Sequence, residues 1–555
     1  MNELKNLYEC LVNSASKAPK KTALIFQGSR RHSLRHLWVG WHSARHLMSQ
    51  RLVVPPQCGC SEKIYYHELL FFTDRAADMF WQMGIRKSDK AAIVLRNSPE
   101  FIISYLALAK LGAISVPVNF MISKEDELEY ILKNSGAKGV LTQCEFLKNL
   151  KHLRTKVETL EFVLCADDPH GHDFWHYLKR SHYHGKAQTP EPRENDPVSI
   201  LYTSGTTGHP KGVILTHGNL ISNANSCIQA LCPDENEVFL CLLPMFHTFS
   251  WTASVMLPLI LGAKIVIAPN LTPPKPWLNA MGIEGVTIFT AIPQLLSVLA
   301  KEAKGFKKLF LKYWCFRKLK FCVSGAAPLN PSIKRNFEKA FGLPVLEGYG
   351  LTETSPVVSV NLPEKQKDGS VGKPVPGVKV KIIDEHGKHL ERGEEGEICV
   401  HGASITCGYH ENPEATKELF THDGWLKTGD IGILDNEGFL HIRDRKKDMV
   451  IVKGLKVFPA QIEHVLANHP KIHETAVIGI PDGEGGETMK CFCVPRKDVS
   501  LEKSEVFRFI KEHLDPYKRP REVEIVESLP KNSMQKVLKR ALLKQELEKK
   551  FKIKV

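Results

Sequence analysis

The chain has no apolar run that reads as a membrane span. Its most membrane-like stretch, Phe249–Ala263, carries Ser250, Thr252, Ser254 and Pro258 and is followed by Lys264, so it reads as a buried helix entering a strand at Lys264–Ala268. Met1–Lys20 lacks an apolar core of signal-peptide length, and the expectation is a soluble, cytoplasmic protein, at most peripheral at the inner face of the membrane. The 14 cysteines follow no regular framework, and Cys227, Cys241, Cys322, Cys491 and Cys493 sit inside apolar runs, the pattern of reduced cysteine used as a small hydrophobe. No Gly-Lys-Ser/Thr stands at Walker spacing, and no Gly-x-Ser-x-Gly elbow occurs, which leaves a P-loop and a Ser-His-Asp hydrolase without support. Acid is short as well. With 61 acidic against 75 basic residues the net charge is +14, which suits nucleotides, coenzyme A, an acidic carrier protein, anionic lipid or nucleic acid without choosing among them.

What is present is a globular composition over 555 residues, 43% of them hydrophobic and 25% charged. At about 150 residues per domain this allows three or four subdomains. Lys90–Asn119 has a strand–helix–strand grammar: Ala91–Leu95 is apolar, Ser98-Pro99-Glu100 is a helix start, Phe101–Leu111 is an apolar helix, and Gly112 stops it before Ala113–Val118. Similar alternation at Gly139–Leu141, Val198–Tyr202 and Val286–Ala291 predicts parallel sheets covered by helices. Near residue 376 the pattern changes to antiparallel alternation, at Val378–Asp384 and Glu397–His401. After Arg445 come a short helix near Ala460–Ala467, strands at Ala476–Ile480 and Lys490–Val494, and helices near Ser504–Leu514 and Val537–Lys550. We read an α/β chain of two domains, residues 1–444 and 445–555. Ser29–Ser61, with five Arg, four His and no acid, reads as a basic surface insertion; without it Ala23–Gly28 would pair with Lys63–Tyr66. Its Cys58-Gly59-Cys60 lacks the other two ligands of a zinc site.

The strongest chemical signal is Tyr202-Thr203-Ser204-Gly205-Thr206-Thr207-Gly208-His209-Pro210-Lys211-Gly212, directly behind the apolar strand Val198–Leu201. Its glycines let backbone amides approach an anion, and its hydroxyls and ammonium add donors, an inventory suited to a polyphosphate. This segment resembles the signature loop of the adenylate-forming superfamily, which includes acyl-CoA synthetases, peptide-synthetase adenylation domains and luciferases. Further motifs follow in that family's order: Ser324-Gly325-Ala326-Ala327-Pro328, Glu347-Gly348-Tyr349-Gly350-Leu351-Thr352-Glu353, Gly424-Trp425-Leu426-Lys427-Thr428-Gly429-Asp430, Asp444-Arg445-Lys446-Lys447-Asp448 and Pro530-Lys531-Asn532-Ser533-Met534-Gln535-Lys536. Pro244-Met245-Phe246-His247-Thr248-Phe249 matches a motif common in the fatty acyl branch.

The resemblance implies a large domain of mostly parallel sheets with a small distorted β-barrel, then a small mobile α+β domain. It implies that Thr203, Ser204, Gly205, Thr206, Thr207 and Lys211 hold ATP phosphates, and that Gly325, Ala326 and Ala327 lie against adenine and the carboxylate. Glu347, Gly348, Tyr349, Gly350 and Thr352 would form the adenine and phosphate segment, and Glu353 would ligate Mg²⁺. Asp430 and Arg445 would bind ribose, Lys447 would be the hinge, and Lys536 the catalytic lysine. His247 would gate the acyl tunnel or orient the carboxylate, with Trp251–Leu261 and Ile292–Leu299 as apolar walls. Lys453, Gly454 and Lys456 would face the acceptor thiol. The implied reaction joins a medium- or long-chain fatty acid to AMP, then transfers the acyl group to coenzyme A, or to the phosphopantetheine of acyl carrier protein. Relatives carry Gly at the positions of Asp444 and Gln535.

Two rival readings are weaker. A basic nucleic-acid or membrane-binding protein would account for the charge and for Ser29–Ser61 but not for the ordered motifs, so no nucleic-acid partner is expected. A metal held by His172 and His176, with His170, His182 and His184 nearby, is discounted because Asp173 points away from the face that such a pair would share.

Overall fold

The structure, a computed structural model, describes residues 4–27, 62–122, 124–168, 170, 173–180, 191–203, 210–452, 455–481, 487–531 and 535–551. It is mixed α/β. In a nine-stranded sheet, Thr22–Phe26, Lys264–Ile267, Val238–Cys241, Ile288–Ala291, Phe321–Ser324 and Val345–Gly350 lie side by side and parallel. Glu62–Tyr65 closes one edge antiparallel, with Phe26 opposite Glu62, so the two strands expected to flank the insertion do pair. Residues 29–61 lie outside the described residues. A seven-stranded sheet runs from Phe162–Cys165 through Ala137–Thr142, Lys90–Val94, Ile114–Pro117 and Pro197–Thr203, all parallel, to the antiparallel Lys211–Thr216 and the short edge Gly408–Tyr409.

The expected strand–helix–strand unit is present. Ser98 caps the helix Pro99–Lys110 by accepting the amide of Phe101 at 3.4 Å, and Gly112, at φ +66°, turns the chain into Ile114–Pro117. That helix is buried along almost its whole length, which is why it is apolar all round. Phe249–Ala263 is likewise a buried helical run: Thr248–Trp251, a π-turn at Thr252–Met256, then Leu257–Leu261. Its hydroxyls are satisfied internally. Ser250 donates to the Leu243 carbonyl (2.6 Å), Thr252 to that of Ser355 (3.0 Å), and Ser254 pairs with Thr290 (2.7 Å). Among the described residues no helix is long and apolar enough to cross a membrane. Cys227, Cys241, Cys322, Cys491 and Cys493 are free and buried, as their apolar settings led us to expect.

The segment expected to form a small barrel is a four-stranded antiparallel sheet of Lys379–Ile383, Glu395–His401, Leu426–Leu434 and Leu440–Arg445. Beyond it a small C-terminal domain packs the helices Pro459–Leu466, Lys503–His513 and Lys539–Phe551 on the three strands Ile472–Pro481, Glu487–Pro495 and Glu522–Ile525. It has apolar cores of its own, one around Leu466, Val477, Cys491 and Ile510, another around Ile478, Phe492 and Leu542.

Candidate active site

Thr203 and Lys211 stand opposite each other at the end of the antiparallel pair Pro197–Thr203 and Lys211–Thr216. Ser204, Gly205, Thr206 and Thr207 lie outside the described residues. The edge strand Gly408–Tyr409 brings the Tyr409 ring beneath the Lys211 ammonium, 5.1 Å from its centroid. The same tyrosine donates its hydroxyl proton to Oε1 of Glu353 at 2.9 Å. Glu353 sits in a tight turn, Thr352–Thr354, whose preceding amide at Leu351 donates to Thr354 Oγ1 (3.0 Å). Asn223 braces that turn from the neighbouring helix: its amide donates to the Val357 carbonyl (2.8 Å) and its oxygen accepts the Val357 N–H (3.0 Å).

Tyr349 lies at the end of Val345–Gly350 and donates its phenol proton to Asp430 at 2.6 Å, while Arg445 Nε meets the other oxygen of Asp430 at 3.0 Å. Burial first, then the charge of Asp430, pushes the phenol pKa well above its usual value. Of the two glycines beside Tyr349, Gly350 has a packing cause. A Cβ on Gly350 would fall 1.9 Å from the Pro356 carbonyl, so Gly350 is required by the close approach of the next strand. Glu347 turns away from the ligand space. Its carboxylate accepts the Leu329 amide at 3.0 Å, and desolvation raises its pKa to about 7. Ala326 takes φ +67°, and a Cβ on Gly325 would press on the Phe249 ring at 3.1 Å.

Asn97, just ahead of the Ser98 cap, pins the segment before His247. It donates to the Leu243 carbonyl (3.0 Å) and accepts the Met245 amide (2.8 Å). Burial lowers the His247 pKa to about 4, so this imidazole is neutral near pH 7 and supplies no fixed positive charge.

Lys536 comes from the C-terminal domain. The bridge between Lys531 and Val537, with the Leu538 amide on the Pro530 carbonyl (2.8 Å), closes a loop that carries it. Desolvation, then the nearby Arg445, lowers its pKa to about 8. Lys447 is lowered by the same two causes. Asp444 anchors the end of its strand by accepting the amides of Arg445 and Ala460, both at 2.7 Å, and the latter ties it to the first turn of Pro459–Leu466.

These groups border one cavity of about 700 Å³. Of the expected residues, Thr203, Lys211, His247, Gly325, Ala326, Gly348, Tyr349, Gly350, Thr352, Glu353, Arg445, Lys447 and Lys536 line it. Ala327, Glu347 and Asp430 stand outside the lining, Asp430 directly behind Tyr349 and Arg445. Lys453 and Gly454 lie outside the described residues, and Lys456 pairs through its backbone with Ile451 in a hairpin. Leu231, Phe239, Leu257, Ile288, Val323 and Val360, members of one apolar cluster, also line the cavity. Of the two expected apolar walls, the first contributes only Ala253 and Leu257. The second is corrected: Ile292–Leu299 contributes no lining residue, because Leu296 and Leu299 pack into the core on the opposite face of the sheet with Trp277 and Phe289.

The family model described as AMP-binding enzyme matches residues 41–410, and that of the AMP-binding enzyme C-terminal domain matches residues 461–536. A long-chain-fatty-acid–CoA ligase of Bacillus subtilis is 31% identical over 98% of this chain and 95% of its own. 4-Coumarate–CoA ligase 1 of Arabidopsis thaliana is 32% identical over 86% of this chain and 87% of its own. The crystal structure of ATP-bound MatB from Rhodopseudomonas palustris superposes with a TM-score of 0.84 at 28% identity, covering 99% of each chain.

Proposed function

The chain belongs to the AMP-binding enzyme family and is an AMP-forming acid–thiol ligase, and on that premise we propose that its acid is a medium- or long-chain fatty acid and its acceptor coenzyme A. The observation that carries this reading is a single cavity lined both by cationic and hydroxyl groups and by one contiguous apolar cluster. The first half joins the acid's carboxylate oxygen to the α-phosphorus of ATP and releases pyrophosphate. In the second, the thiol attacks the acyl carbon, loses its proton, and AMP leaves. Both steps gather charge on oxygen, where fixed donors act most strongly in a site shielded from water.

Lys536 is the group we assign to the charge between carboxylate and α-phosphate, with Thr203, Lys211 and Thr352 on the phosphates. Tyr349 and Arg445 border the nucleoside, and Asp430 would take the ribose hydroxyls in exchange for its present partners. His247, being neutral, orients rather than charges the carboxylate. Glu353, a cavity-lining carboxylate fixed by Tyr409, is a hard oxygen donor that fits Mg²⁺, an ion commonly held by one or two carboxylates plus substrate phosphates. When bound, that ion would neutralise phosphate charge.

The domain division is assigned at Asp444–Arg445, and Lys447 is assigned as the hinge about which the C-terminal domain exchanges Lys536 for the segment of Lys453, Gly454 and Lys456. Pyrophosphate exchange over straight-chain acids of increasing length and over 4-coumarate, followed by thioester formation with coenzyme A and with acyl carrier protein, tests the assignment. Exchange driven only by aromatic acids, or thioester formation only on the carrier protein, would overturn it. Lys536→Ala should abolish adenylation yet spare thioester formation from supplied acyl-adenylate; equal loss of both halves would count against the two-faced domain.

A further inference from the structure

The helical run Gly305–Cys315 has its amphipathic face inverted. Phe306, Leu309, Phe310 and Tyr313 recur at the spacing of one helix face, and that face looks outward: Phe306 is 81% and Tyr313 67% exposed. The inward positions, Leu311 and Cys315, are buried. Trp314 and Ile283 of the neighbouring helix extend the same exposed surface, with the Trp314 indole lying over Gly282. A water-facing stripe of this kind is uncommon on a soluble monomer and marks a surface that is covered in use.

Charge identifies what covers it. From Lys304 to Lys320 there are seven cations and no anion. Among the described residues, only Lys307 and Lys320 form ion pairs, with Glu302 and Glu237 from outside that stretch. Aromatic rings with a Trp and a Tyr among them, set in a lysine-rich border, match the headgroup region of an anionic bilayer, where rings enter the acyl boundary and ammonium groups meet lipid phosphates. We propose that Gly305–Cys315 and its flanking lysines dock this protein on an anionic lipid surface. The position fits a lipid-derived acid. The run feeds the amino end of Phe321–Ser324, whose Phe321 pairs with Ile288, and Ile288 is part of the apolar lining of the cavity. The inference goes beyond the activity reading, and its test does not depend on turnover.

Sedimentation with vesicles of phosphatidylcholine alone, and of phosphatidylcholine with phosphatidylserine, reads the interaction directly. The wild-type chain should pellet with the anionic vesicles at low ionic strength and be released as salt rises. Phe306→Ser combined with Tyr313→Ser should weaken that partition at least tenfold. Lys304→Glu combined with Lys318→Glu, at exposed positions, should abolish the preference for phosphatidylserine. Both variants should keep the wild-type circular dichroism and Tm. Wild-type protein that stays in the supernatant, folded variants that bind as the wild type does, or a dimer in sedimentation velocity that dissociates on Phe306→Ser would each overturn the proposal.

Discussion

The side-chain amide of Gln294 donates to the backbone carbonyl of Gln535 at 3.2 Å, linking a helix behind the nine-stranded sheet to the residue before Lys536. Gln294 belongs to Pro293–Glu302, the helix that follows the cavity-lining strand Ile288–Ala291. The bond therefore holds the lysine loop against the body in the arrangement in which Lys536 lines the cavity. Gln294→Ala should slow acid-dependent pyrophosphate exchange about five- to tenfold, the worth of one net hydrogen bond. Thioester formation from supplied acyl-adenylate should be untouched. Equal slowing of both halves would remove Gln294 from this positioning role.

Gln535 has φ +60°, the left-handed region in which a side chain costs about 1 kcal/mol. Glycine, the residue expected here from the resemblance, would avoid that cost; this chain keeps the conformation with a long, unbranched, exposed side chain. Gln535→Gly should therefore leave adenylation within about twofold of the parent, strain relief and added chain entropy opposing each other. Gln535→Val, branched at Cβ, should depress it at least tenfold with overall Tm unchanged. A valine variant as active as the parent would show that the loop does not need this conformation during adenylation.

The parts of this fold that were legible in the sequence are those set by local chemistry. The cap at Ser98, the stop at Gly112 and the strand pair interrupted at residue 29 each depend on neighbours a few residues away or on a plain alternation. The glycine- and hydroxyl-rich motifs were legible because their residue types are unusual in combination, and thirteen expected residues line one cavity. The cavity's apolar wall was not. An apolar stripe such as Ile292–Leu299 says that a face is buried but not against what, and sheet order decided that it packs away from the cavity. Nor do Tyr409, Asn97 and Asn223 stand out in sequence. Each acts on a partner more than fifty residues distant, through a bond that exists only once the sheets are assembled. The task of Asp444, accepting the amide of Ala460 sixteen residues on, is equally invisible before the chain folds.

Lys490 is a buried cation at the centre of the C-terminal domain. Its ammonium lies 2.6 Å from Glu524 and 2.6 Å from Glu546, with Glu522 at 3.7 Å, joining two strands to the helix Lys539–Phe551. Glu546 is itself buried, so removing the cation leaves its carboxylate with only the largely exposed Lys549 ammonium, 2.9 Å away, to offset its charge. Lys490→Met should destabilise the domain by about 3 kcal/mol, and adding Glu546→Gln should recover part of the loss. Thermal melts of the full chain provide the measure. A double variant no more stable than Lys490→Met would mean that the cost came from packing alone.

The alkaline limit of the first half-reaction should report Lys536. Desolvation and the Arg445 charge hold its pKa in the ligand-free protein near 8, against an ordinary value of 10.5. The shift is downward, so the charged form is the one the fold disfavours: its penalty is present below pH 8 and fades as pH rises from about 8 towards 10.5. Adenylation needs that charged form, so activity and stability should move in opposite directions across this interval. For pyrophosphate exchange, kcat/KM follows the free enzyme and should bend downward near pH 8, falling about tenfold per further pH unit. Lys536→Arg keeps a charge at every accessible pH. Its overall rate should be lower, since guanidinium geometry differs, but its profile should stay flat where the parent's declines. An identical alkaline limb in the arginine variant would assign the titration to another group and remove Lys536 from the rate-determining charge balance.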